Sequence, residues 1–188
     1  MSDLEQLAEL VATHNSLAGK ITSVIGRPAL MGHAGEYIAS RIFGIRLEQA
    51  ATAKSTDGVF TEGPLVGRSV NVKWYGKLEG VLDLKPDPPP EFYLVMTGPR
   101  SAAMSSRGQV RPWVIDYVFL YDAANILSAL RQRGVKIGIA SSVKREYWEQ
   151  AEIYPHQRLQ SLVLSPEQRR QLSLFGSQGA ERDATVSG

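Results

Sequence analysis

A chain of 188 residues with 43% hydrophobic content can bury one substantial core, and 21 basic against 19 acidic side chains leave a net charge of only +2. Any nucleic-acid binding must then come from local clustering of cations, because no global field exists to supply it. The absence of cysteine excludes disulfides, thiolate zinc sites and a cysteine nucleophile, while His14, His33 and His156 lack the spacing of a zinc ligand set.

The chain starts Met1-Ser2-Asp3-Leu4-Glu5, without the basic start and apolar stretch of a signal peptide. No apolar run reaches membrane-spanning length, so a soluble cytoplasmic protein without membrane contact is expected. Leu4, Leu7, Ala8, Val11, Ala18, Ile21 and Ile25 recur at three- and four-residue steps and predict an amphipathic packing helix ending near Gly26-Arg27-Pro28. A second helix is predicted over 32–43, with Ile38, Ala39, Ile42 and Phe43 inward, Gly44 as its stop and Glu36 in its first turns. A strand is expected over 45–53, a turn at Asp57-Gly58, and a short extended piece at Val59-Phe60.

Over 68–75, Val70, Val72 and Trp74 alternate with Ser69, Asn71, Lys73 and Tyr75, the period-two pattern of a strand with one apolar and one polar face. The proline-rich run 85–90 is a connector to the apolar strand 92–96. Residues 98–111 carry Arg100, Arg107 and Arg111 among small residues and no acid, and read as a mobile basic loop before a strand at 113–120. Asp122 caps a helix through Arg133, and 135–140 reads as a further strand, giving a strand-helix-strand unit with a parallel pair. Helices are expected over 142–153 and from Ser165-Pro166-Glu167 to Phe175, followed by a polar tail.

The chemistry concentrates between Thr56-Asp57-Gly58 and Val70-Asn71-Val72-Lys73. Cutting a phosphodiester needs a carboxylate to hold Mg²⁺, a water to attack, and a cation to position that water and offset developing charge. Asp57 and Lys73 supply two of these parts. Two residues apart on a strand, Asn71 and Lys73 point to one face, beside the turn that carries Asp57.

Taken in order, the helix with Glu36, the turn with Asp57, the strand with Asn71-x-Lys73 and the strand 92–96 resemble the PD-(D/E)xK nuclease superfamily. The resemblance spans roughly the middle of the chain. It implies an α/β restriction-endonuclease-like core, a central mixed β-sheet flanked by helices, with the N-terminal helix (about 3–26) as an addition. The expected organisation is a single domain over 1–176 and a flexible tail over 177–188. By position it implies Asp57, Lys73, Asn71 and Glu36 as catalytic residues, and it departs from the superfamily at Asn71, where a carboxylate is usual.

On this reading Asp57 binds Mg²⁺ (or Mn²⁺) directly, the Val72 carbonyl is another oxygen ligand, and Glu36 completes the metal shell. Lys73 orients or deprotonates the attacking water. Asn71 offers a neutral amide where a second acid would sit, and Glu36, Glu48 and Glu62 are the candidates to replace it. Arg100, Arg107, Arg111, Lys54 and Lys77 are the expected contacts to the phosphate backbone of DNA. The implied activity is Mg²⁺-dependent endonucleolytic hydrolysis of DNA, in restriction, defence or repair, and double-strand cleavage makes a homodimer attractive. The alternative is a catalytically silent nucleic-acid-binding domain of the same fold, which Asn71 favours.

Overall fold

The computed structural model describes residues 2–48, 55–101 and 111–177. Helix α1 (Asp3–Ile25) opens with a capping box, the Ser2 hydroxyl receiving the Glu5 N–H and the Glu5 carboxylate returning to the Ser2 N–H, and closes on Gly26 in the left-handed region. Its apolar positions were expected to pack, yet only Ile21 and Ile25 near its C-terminus are partly covered among the large ones, whereas Leu4, Leu7, Leu10, Val11, Leu17 and Val24 are exposed. Helix α2 (Met31–Phe43) buries Ala34, Gly35, Ile38, Ala39, Ile42 and Phe43, a stripe at helical spacing. Gly35 permits the close approach, since a Cβ there would lie 3.0 Å from the Cβ of Trp74.

The strands in chain order are β1 (Ile45–Leu47), β2 (Gly58–Phe60), β3 (Ser69–Tyr75), β4 (Val81–Leu82), β5 (Phe92–Thr97), β6 (Tyr117–Asp122), β7 (Ser141–Ser142) and β8 (Glu152–Tyr154). Six form one mixed sheet in the order β1-β2-β3-β5-β6-β8, and β4 pairs with β7 in a small second sheet. Only β3 and β5 are parallel, in register from Val70 with Phe92 to Tyr75 with Thr97. The carboxylate of Glu91 locks the start of this pair, accepting from Arg68 Nε at 2.5 Å and from the Ser69 N–H at 2.6 Å.

Helices α3 (Ala123–Gln132), α4 (Arg145–Ala151) and α5 (Pro166–Ser173) complete the α/β architecture. Two cores result, one on each side of the sheet. Val70, Val72 and Trp74 face α2 and α5 together with Phe92, Leu94 and Met96. The opposite core gathers Tyr93, Val95, Phe119, Tyr121 and Trp148 with the apolar stripe of α3. Asn71 and Lys73 belong to this second side, in register with Tyr93 and Val95.

Several expectations are corrected. Residues 135–140 form no strand: Val135 and Ile137 pack against the second core without a ladder partner, and Ala140 turns the chain at φ 55°. The anticipated parallel strand-helix-strand unit is therefore absent, and the parallel pair is joined instead through β4 and the proline-rich connector. Helix α4 stops at Ala151, and Glu152–Tyr154 passes into β8 beside β6 because Ile153 is wholly buried there. Strand β6 begins at Tyr117 instead of residue 113, and Trp113 stays 40% exposed against the edge of Trp74. Of the strand expected over 45–53 the described part is β1, and residues 49–54, most of the basic loop and the tail from 178 lie outside the described residues. Among the described residues no helix is long and apolar enough to cross a membrane.

Candidate active site

Strand β3 lies between an antiparallel neighbour on one side and a parallel one on the other, and β2 leaves it at Asp57. The backbone of Asp57 still joins both neighbours, its N–H donating to the Val70 carbonyl and its carbonyl accepting from the Glu48 N–H, each at 2.9 Å. Its side chain then does what the next rung of the ladder would have done. The Asp57 carboxylate accepts the N–H of Val72 at 2.7 Å, which fixes an acid at the fork of the sheet. In an extended strand the N–H and C=O of one residue leave on the same side, so the Val72 carbonyl faces this fork as well.

The electrostatics of Asp57 identify its neighbours. Burial pushes its carboxyl above the ordinary aspartate range, the Val72 N–H opposes that, Glu36 pushes it up further, and Lys73 and Lys85 pull it down. The expected residues Glu36, Asp57 and Lys73 thus meet electrostatically. Glu36 is not free to turn fully toward Asp57, however, since its carboxylate is paired with Arg27.

Asn71 is almost wholly buried, and its amide Nδ2 donates to the Ser55 carbonyl at 3.2 Å. Its Oδ1 is buried without a hydrogen-bond partner among the described residues. Such an orphan acceptor carries a desolvation cost, and a cation or a donor brought to the fork would relieve it. Of the proposed second acids, Glu48 continues the β1–β2 register opposite Asp57, while Glu62 packs beside Gly44 at the far end of the hairpin.

Lys85 was not anticipated. It follows β4 in the proline-rich connector, where nothing in its local pattern marks it. Its backbone is clamped over the sheet by Tyr93, whose hydroxyl donates to the Lys85 carbonyl at 2.9 Å and accepts the Lys85 N–H at 3.0 Å. Tyr93 is the register partner of Asn71, so the clamp sets Lys85 above the polar face of β3.

The basic residues gather at the carboxyl ends of β3 and β5, beyond Lys73. Residues 78 and 100 bridge there in parallel, bringing Lys77 and Arg100 onto one end of the sheet. The Arg100 guanidinium lies 4.9 Å over the ring of Tyr117. Arg111 is held by Glu79 through two bonds of 2.9 and 3.0 Å, which offsets its charge and weakens it as a phosphate contact. Lys54 and Arg107 lie outside the described residues.

Among the described residues no group of three His, Cys, Asp or Glu side chains is placed to hold a metal ion. The donors at the fork are instead one carboxylate, one amide oxygen and one main-chain carbonyl. That set suits Mg²⁺, which keeps several waters and is commonly held by one or two carboxylates plus substrate phosphates. No protein-family model matches this chain, and no curated protein matches it either.

Proposed function

We propose that this chain is a Mg²⁺-dependent endonuclease of the restriction-endonuclease-like kind, hydrolysing phosphodiester bonds in DNA. The observation that carries the reading is the fork itself: the half-buried Asp57 carboxylate, within electrostatic reach of Lys73 and Lys85, beside the orphaned Oδ1 of Asn71. The order of helix α2, the β1–β2 hairpin, β3 and β5 supports it, because this is the order in which the resemblance requires Glu36, Asp57, Asn71 and Lys73.

Asp57, Asn71 Oδ1 and the Val72 carbonyl would hold the metal, with Glu36 nearby. When bound, Mg²⁺ or Mn²⁺ polarises a phosphoryl oxygen and acidifies a water. Lys73 holds the attacking water in line and offsets charge that develops on the phosphate. Lys85, approaching from the connector on the same face, holds a non-bridging phosphate oxygen, and Lys77 with Arg100 tracks the strand beyond the scissile bond.

A second reading, a silent nucleic-acid-binding domain, draws support from the neutral Asn71 amide and from the pairing of Glu36 with Arg27. Incubation of supercoiled and linear DNA, and of RNA, with the purified chain in Mg²⁺, Mn²⁺ or EDTA separates the two. Metal-dependent cutting that falls at least about a hundredfold in Lys73→Met is expected. Binding without cutting under every condition would transfer the assignment to the silent domain.

Asn71→Asp tests the metal arrangement from the other direction. The new carboxylate loses the amide bond to the Ser55 carbonyl and meets Asp57 as a like charge, so in EDTA a loss of about 1–3 kcal/mol is expected in urea unfolding. Mg²⁺ should restore most of it, and calorimetric titration should show tighter Mg²⁺ binding than in the wild type. An equal loss with and without Mg²⁺ would place the metal elsewhere.

A further inference from the structure

The parallel strands β3 and β5 end side by side, and the chain leaves them toward opposite faces of the sheet. After β3 it joins the second core through Leu78 and Leu82, whereas after β5 it reaches the first core at Ile115. In open α/β sheets a crevice beyond the carboxyl ends of parallel neighbours whose connections diverge is the usual place for a ligand. Here a cavity of about 470 Å³ lies there, within the size range of small-molecule sites.

Its composition narrows the ligand. Leu78, Val143 and Trp148, all buried in the second core, supply an apolar floor, and Arg100 from the end of β5 and Arg145 from the start of α4 line it as well. The acids beside it are already engaged: Glu79 in the lining is held by Arg111 through two bonds of 2.9 and 3.0 Å, and Glu149 takes the Nε of Arg145 at 2.5 Å. That bond to Arg145 holds the Glu149 carboxyl below the ordinary glutamate range, and Arg158 and Arg100 pull it the same way, so three guanidiniums stand within electrostatic reach of one carboxylate. Arg100, which lies over the Tyr117 ring, has no carboxylate bonded to it among the described residues. An apolar floor with a surplus of cations in its lining suits a ligand with a flat base and a phosphate, that is, a nucleotide.

The face of the sheet points to its source. Asn71 and Lys73 lie on the same side of β3 as this floor, and the five residues from Lys73 to Leu78 span at most about 18 Å. We propose that the cavity receives an unpaired nucleotide of the strand being cut, its base on the apolar floor and its phosphate between Arg100 and Arg145. A paired base is held in its stack and does not reach the floor. The substrate is then DNA with a single-stranded stretch within about five nucleotides of the scissile phosphate, at a rise of about 3.4 Å each. The choice of a DNA strand as ligand rests on the nuclease reading; the cavity and its charge do not.

Fluorescence anisotropy in EDTA compares a labelled blunt duplex with the same duplex carrying a single-stranded extension of about five nucleotides on its 5′ or its 3′ end. At least one extended duplex should bind about tenfold tighter than the blunt one. Arg145→Gln should reduce that preference to within about twofold. Arg170→Gln removes an equal charge from α5, on the opposite side of the sheet, and should keep the preference. Both arginines are exposed, so folding is retained in each variant. Equal binding of blunt and extended duplexes overturns the proposal, and so does a preference that Arg145→Gln leaves intact. Quenching of the intrinsic fluorescence by micromolar thymidine 5′-monophosphate, with blunt and extended duplexes bound alike, would overturn the strand as the source and assign the cavity to free nucleotides. The same proteins in Mg²⁺ test the fork separately, since a chain that shows the preference and cuts nothing keeps the cavity and loses the nuclease reading.

Discussion

On the nuclease reading, Asp57→Asn is expected to cut DNA at least about a hundredfold more slowly than the wild type in Mg²⁺ while melting at a higher temperature in EDTA. The two effects share one cause. A carboxylate is the metal donor the chemistry needs, and burial at the fork is what its charge resists. Because its native carboxyl titrates above the ordinary aspartate range, the folded chain binds a proton more tightly than the unfolded one. Stability from this group is then fully present below the unfolded value and is lost as pH rises through the native value. Asparagine keeps the shape and can still accept the Val72 N–H through its amide oxygen, but it carries no charge to desolvate. The melting difference between variant and wild type should therefore grow as pH rises across that interval and level off above it. Asp57→Ala is the control, since it leaves the Val72 N–H without its acceptor and should lose about 1–3 kcal/mol. Mg²⁺ should raise the melting temperature of the wild type and not that of Asp57→Asn. An asparagine variant that cuts normally would move the active centre away from the fork. One that melts lower in EDTA at neutral pH would show that the lysines outweigh burial at this carboxyl.

What the sequence disclosed and what it concealed divide along the range of the interactions. Helix α2 was legible from its stripe and Gly44, β3 from its alternation, and α3 from the Asp122 cap, because each signal lies within one element. The nearness of Asp57 to Asn71 and Lys73 was legible for the same reason, since a hairpin and a two-residue spacing decide it. The pairing of β3 with β5 was not, because alternation says which face is buried and nothing about which strand lies alongside. Strand β8 was hidden because Glu152-Ile153-Tyr154 continues the apolar spacing of α4, and only the place beside β6 makes it a strand. Lys85 reaches the site through a hydroxyl eight residues away, on a tyrosine that reads as core. In α1 the periodicity announced an apolar face but not what covers it, which is why packing on the body was expected for a face that remains largely exposed.

The largest loss of stability among single-atom-scale changes is expected at Gly98. Strands β3 and β5 run parallel and end together at Gly76 and Gly98, where the Gly98 N–H donates to the Tyr75 carbonyl at 2.9 Å. A Cβ on Gly98 would overlap the carbonyl oxygen of Gly76 and come within 2.9 Å of its carbonyl carbon and 3.0 Å of a Val114 methyl. A Cβ on Gly76 would in turn stand 2.9 Å from Cβ of Arg111 and 3.1 Å from the Pro112 carbonyl oxygen. The obstacles are largely backbone, which a rotamer change cannot move, and the adjoining chain is anchored by the bond from Trp74 Nε1 to the Val114 carbonyl at 2.9 Å. Gly98→Ala must therefore push the two strand ends apart, at about 3 kcal/mol or more, lowering the melting temperature by roughly 6–12 °C in a domain of this size. Gly19→Ala provides the opposite sign: it lies in α1 with nothing within 4 Å of the added methyl, and alanine should stabilise the helix by about 0.5–1 kcal/mol. The same crossing carries Lys77 and Arg100, so on the nuclease reading Gly98→Ala should also weaken DNA binding at temperatures where the chain remains folded. A Gly98→Ala chain within about 0.5 kcal/mol of the wild type would mean that the ends of β3 and β5 stand further apart than their glycines allow, and the basic end of the sheet would need to be redrawn.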